Sequence, residues 1–180
     1  MRLLKTIRMD RTDEAVFERA AAPGEIAVSG AFLFADMPPA AVRGKVRQAF
    51  ANGFLGVESF GWSTFAVVAT LDDGELDALV AWLAGEFLAK LGAPGPEAAR
   101  AAAIGELQHA AALAKDHPVN TLLAVERSWG EDGILERFRV IAPARPQTHA
   151  AGIWDFSSER ADAAGDSLPP LAKLADGEKR

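Results

Sequence analysis

A chain of 180 residues with a formal net charge of −6 and no run of ~18 apolar positions reads as one globular domain without a transmembrane helix. Its acidic balance argues against general nucleic-acid binding, which needs a surplus of Lys and Arg to displace counterions. The absence of cysteine excludes disulfides, thiol catalysis, thiolate metal sites and iron–sulfur clusters within the chain. The opening Met1-Arg2-Leu3-Leu4-Lys5 reaches charge too early for a secretory apolar region, so a cytoplasmic location is expected.

Residues 2–9 read as a first strand, with Leu3, Ile7 and Met9 on one period-2 face. After the turn Asp10-Arg11-Thr12-Asp13, residues 14–20 suggest a second strand, although Ala and Glu also suit a helix. Pro23-Gly24 fits a type II turn. Beyond it Ile26, Val28, Phe32 and Phe34 alternate with small residues and predict a long strand to residue 35, completing an antiparallel meander. Asp36 and Pro38 open a helix whose stripe is Val42, Val46, Ala49 and Phe50, with Gly53 as the residue that ends it.

Residues 52–71 concentrate three glycines (Gly53, Gly56, Gly61) and four aromatics (Phe54, Phe60, Trp62, Phe65) around Glu58. Such glycines mark φ > 0 or the close approach of a ligand or another strand. Thr64–Leu71 is apolar enough for a central strand covered on both faces. Asp72-Asp73 caps a helix with the stripe Leu76, Leu79, Val80, Leu83 and Phe87, ended by Gly92. Pro94 and Pro96 open an alanine-rich helix that runs to about Lys115 and stops before His117-Pro118.

Residues 121–129 and 134–141 flank Gly130-Glu131-Asp132-Gly133, a four-residue hairpin loop. A register that sets Val125 against Phe138 also sets Arg127 against Glu136 and Glu126 against Arg137. A shift by one would oppose Glu126 and Glu136, so charge selects the register. Residues 143–180 read as an irregular tail in which Trp154 and Phe156 dock on the body or on a neighbouring chain.

No phosphate loop, dinucleotide fingerprint or nucleophile elbow is present. Ser59 and Ser63 have no base near them in sequence. Glu106-Leu-Gln-His109 has metal-ligand spacing on a helix, but it stands alone, and its helical face is either solvated or a metal or partner surface. His117 fits a helix C-terminal cap. Glu58 either points to water or is enclosed by Phe54, Phe60 and Trp62, which would raise its pKa. Arg127 and Glu136 are either rim residues or a polar handle at a pocket mouth.

With Phe17-Glu18-Arg19-Ala20, Pro23-Gly24-Glu25, Val28-Ser29-Gly30 and residues 53–61 in view, the chain resembles a family of small uncharacterised proteobacterial proteins of unknown function. The resemblance covers roughly residues 2–142 and implies a free-standing α+β domain, with no activity, substrate or cofactor attached. The expected fold is α+β: a largely antiparallel sheet of about five to six strands, three helices mainly on one face, one domain over residues 1–142 and an extended tail. The expected function is a non-enzymatic accessory or binding protein, a homo-oligomer or the holder of a protein partner, without cofactor. The alternative is a small-molecule binder or hydrolase with a pocket of Phe54, Glu58, Phe60, Trp62 and Arg127.

Overall fold

The computed structural model describes residues 1–141, arranged around β1 (Arg2–Ile7) at the middle of one sheet. The other strands are β2 (Ile26–Val28), β3 (Phe54–Gly56), β4 (Trp62–Ser63), β5 (Phe65–Thr70), β6 (Leu122–Gly130) and β7 (Gly133–Ile141). The helices are α1 (Thr12–Val16), α2 (Gly44–Asn52), α3 (Asp73–Lys90) and α4 (Pro96–Ala114). The sheet has seven strands in the order β4-β3-β2-β1-β5-β6-β7, and every ladder is antiparallel. The α+β class holds, with more strands and one more helix than the sequence suggested.

The β6–β7 hairpin has the register that charge selects, with Val125 on Phe138, Arg127 on Glu136 and Glu126 on Arg137. Pairing runs on to Gly130 and Gly133, so the loop has two residues rather than four. In α3, Asp72 and Glu75 form a reciprocal capping box. At the end of α4 the His117 amide donates to the Ala114 oxygen at 3.2 Å. Arg2 Nη1 donates to the Lys115 and His117 oxygens just beyond it at 3.0 and 2.9 Å, so Arg2 shares the end of the helix with His117.

Of two expected strands, one is absent and the other is cut short. Residues 14–20 begin inside α1, whose entry is set by Asp10 accepting the Thr12 amide, and then run as irregular chain to a single bridge between Ala20 and Trp62. The long strand over 26–35 ends at Val28 because Gly30 turns the chain at φ 78°, and Ala31–Phe34 coils into a 3-10 turn. A second 3-10 turn, Pro39–Ala41, precedes α2, so the helix starts later than Asp36 and Pro38 implied. Gly53 is extended and leads straight into β3.

The glycine-rich stretch makes close chain approaches. A Cβ on Gly61 would lie 2.6 Å from the Ala21 nitrogen, one on Gly56 2.5 Å from Glu25 Oε2, and one on Gly53 2.7 Å from the Trp62 ring. Phe60 closes the β3–β4 turn at φ 53°, a costly conformation for an aromatic residue.

The sheet curls: Phe54 on β3 meets Phe138 on β7 with ring centroids 6.1 Å apart, although the two strands lie near opposite ends of the order. The inner face carries Leu4, Ala27, Phe54, Ala66, Val68, Leu123 and Val125, all buried. Leu3, Ile26, Val28, Leu55 and Trp62 are buried on the opposite face in one cluster with residues of all three long helices. On β5, Ala66 and Val68 are buried while Phe65, Val67 and Ala69 are only half-buried. The strand expected to be covered on both faces is therefore covered on one.

Candidate functional site

Strand alternation carries Arg127 onto the buried face beside Val125, and the curl of the sheet brings it to the end of α2. Its side chain has no exposed surface. Nη1 donates to the Phe50 and Gly53 oxygens at 3.0 and 2.7 Å, satisfying carbonyls that a helix end leaves unpaired. Nη2 donates to the Ser29 carbonyl, and Nε donates to Glu136 Oε1 at 2.6 Å. Burial pulls the guanidinium pKa below its ordinary value, and the charge of Glu136 opposes that pull.

Glu136 Oε1 also accepts from the Ser29 hydroxyl, and Oε2 lies 3.8 Å from His109 Nε2. His109 stands on α4 with its ring edge-on to Phe138, centroids 5.8 Å apart. One turn earlier, half-buried Glu106 reaches the same cluster. Burial is the main reason its pKa is pushed up to about 7; the Glu136 charge adds to the rise and Arg127 opposes it. Among the described residues none hydrogen-bonds or ion-pairs with the Glu106 carboxylate.

Glu106 also lines a cavity of about 370 Å³ at the α3–α4 corner, walled by Phe32, Leu33, Phe87, Leu91 and Pro94, with Asp36 at its edge. Of the Glu-x-x-His pair, Glu106 thus lies between a buried ion pair and a cavity, while His109 keeps 46% of its side chain exposed and does not line the cavity. Among the described residues no group of three or more His, Asp or Glu is placed to hold a metal ion.

The structure does not bring Phe54, Glu58, Phe60, Trp62 and Arg127 around one pocket. Phe54 belongs to the inner face and Trp62 to the opposite core cluster, because strand neighbours point apart. Phe60 lies under Lys90, whose Nζ is 4.5 Å from the ring centroid. Glu58 is exposed and stands on a separate groove of about 780 Å³ with Lys5, Ile26, Leu71, Leu79 and Trp82. Trp154 and Phe156 lie outside the described residues.

The serines are committed elsewhere. The Ser29 hydroxyl donates to a carboxylate already paired with Arg127. Ser63 donates to the Ile7 and Phe65 carbonyls, and Ser59 to Glu25 Oε2.

Glu25 is a buried residue that sequence reasoning passed over. Its carboxylate accepts from the Ala22 and Ser59 amides at 2.6 and 2.9 Å, tying the Ala22–Glu25 turn that contains Pro23-Gly24 to the β3–β4 turn. Gly56, which has no side chain to crowd that carboxylate, was its sequence trace.

Glu106 makes stability pH-dependent. Its folded pKa of about 7 lies above the ordinary 4.5, so the stability it contributes is complete below about pH 4.5 and is lost as pH rises through 7. Glu106→Gln is expected to match the wild type at pH 4.5 and to exceed it by about 1–2 kcal/mol at pH 8, after allowance for its partial exposure. Urea melts across this range check it; parallel pH profiles for the two proteins would refute it.

No curated protein and no solved structure is significantly similar to the chain. A family match covers residues 1–156, running past β7 through Trp154 and Phe156. The chain therefore belongs to the family described as "Family of unknown function (DUF6505)".

Proposed function

We propose that the chain is a non-enzymatic binding protein of the cytoplasm that holds a protein partner on the open face of its sheet. This is the part, at β5, β6 and β7, of the face that the helices cover at β1 to β4. The supporting observation is the cross-strand row Lys5–Val67–Leu122–Ile141. Each member is half-buried, and Lys5 also lines the groove beside Trp82, which is 52% exposed. A parallel row, Ile7–Phe65–Ala124–Arg139, lies alongside. Apolar rows running into an exposed tryptophan and edged with arginine have the composition of an interface.

Charge selects the partner. At its β6–β7 end the face carries Arg137 and Arg139 against Glu126, whereas at the Trp82 groove Lys5 stands with Glu58 and Glu75. Two copies meeting symmetrically about the β6–β7 end would oppose these arginines, whereas a partner presenting acidic and apolar side chains there would not. Trp154 and Phe156, inside the family-matched span, are a second contact element in this reading.

Site-specific photo-crosslinking in the native host tests it. A photoreactive phenylalanine in place of Phe65 is expected to form an adduct with another protein, and the same residue at exposed Gln108 is not. A covalent pair of chains would replace the partner with a second copy. A crosslink within one chain, or equal yields at 65 and 108, would overturn the reading.

A further inference from the structure

We infer that the cavity at the α3–α4 corner binds a small organic cation, an amine carried on an apolar body about the size of one aromatic ring. The site is distinct from the open sheet face and does not depend on it. At about 370 Å³ the cavity is within the range of small-ligand sites. Its walls come from the 3-10 turn carrying Phe32 and Leu33, the end of α3, the α3–α4 connection and α4.

The polar side chains in that lining are two carboxylates, Glu106 and Asp36, and none of the lining residues is cationic. Neither carboxylate is hydrogen-bonded or ion-paired among the described residues. Phe32 and Phe87, in edge contact at 5.0 Å between centroids, supply aromatic surface that attracts a cation when its face is presented. An ammonium at Glu106 would give the half-buried carboxylate the direct ion pair it does not have among the described residues, and the apolar walls would take up the rest of the ligand.

The groups facing Glu106 set the proton linkage. Glu136 on β7 disfavours its ionisation and Arg127 on β6 favours it. Asp36 shares the cavity, and His109 lies one turn along α4. An ammonium competes with the proton for Glu106, so affinity rises with pH through the region near 7.

Calorimetric titration of the full chain with 2-phenylethylamine, against 2-phenylethanol as its neutral counterpart, tests this. The amine is expected to saturate one site at pH 8, about tenfold more tightly than the alcohol. Because the amine stays protonated, its affinity should fall about tenfold at pH 6, where most of Glu106 is protonated. Glu106→Gln should reduce the amine to the affinity of the alcohol and remove the pH dependence. Ala102→Leu, at an exposed position on the cavity wall, should weaken both ligands. Equal binding of amine and alcohol, an amine affinity unchanged in Glu106→Gln, binding indifferent to Ala102→Leu, or no saturable binding would each overturn the assignment.

Discussion

Arg127→Met is expected to destabilise the folded chain by about 3–5 kcal/mol, the cost of removing one partner from a buried ion pair. Methionine fills a similar length but donates nothing. The Phe50 and Gly53 oxygens at the end of α2 lose their donor, as does the Ser29 carbonyl. Glu136 keeps only the Ser29 hydroxyl and the more distant His109. The melting temperature should fall by about 10–15 °C.

Arg127→Lys should recover little of this loss. The guanidinium donates in three directions at once, towards α2, Ser29 and Glu136, and a single ammonium cannot span them. Adding Glu136→Gln to Arg127→Met should return part of the stability, because the carboxylate left without its counter-ion is then removed. Arg127→Met within about 1 kcal/mol of wild type in urea melts would show that water replaces the arginine and that it is no staple.

Legibility in the sequence followed the range of the interaction that decides each element. The β6–β7 hairpin was legible because Glu126, Arg127, Glu136 and Arg137 oppose one another locally and admit one register. α3 was legible because Asp72 and Glu75 cap it within a single turn. The alternation from Ile26 to Phe34 misled, since Phe32 and Phe34 reach the core from a 3-10 turn after Gly30 rather than from a strand. Period-2 spacing records which residues are apolar, and a positive φ at one glycine cancels what it implies about direction.

The cluster around Arg127 was hidden for a different reason. A helical wheel that takes Ile104, Leu107, Ala111 and Ala114 as the buried face sets Glu106 and His109 on the opposite side. The buried stripe of α4 is instead Ala99, Ala103, Leu107, Ala110 and Ala114, which puts Glu106 beside it at three and four positions from Ala103 and Ala110. It is the curl of the sheet that brings Glu136 and Phe138 to that side of α4. Nothing within twenty residues of Ser29 or Gly53 announces an arginine more than seventy positions away. Likewise, no period distinguishes a strand covered on both faces from β5, whose half-buried Phe65 and Val67 form the open face.

Gly61→Ala is expected to cost about 3 kcal/mol, at the upper end of overpacking penalties, because the obstacle is backbone. The added Cβ would lie 2.6 Å from the Ala21 nitrogen and 2.7 Å from the Ala20 carbonyl carbon and oxygen. Those atoms belong to the segment that pairs with β4: the Ala21 amide donates to the Trp62 oxygen and the Trp62 amide to the Arg19 oxygen, each at 2.9 Å. A side-chain tip could rotate away, but here the segment must move and loosen both bonds. Gly85→Ala in α3 is the matched control, since its added Cβ meets nothing within 4 Å. A helix-interior alanine there should instead stabilise by about 0.5–1 kcal/mol. The two substitutions add the same atom and should shift the melting temperature in opposite directions. A Gly61→Ala protein that melts within about 2 °C of wild type would mean that the 19–21 segment yields easily. The glycines of residues 53–61 would then have to be explained by something other than the close approach of the chain.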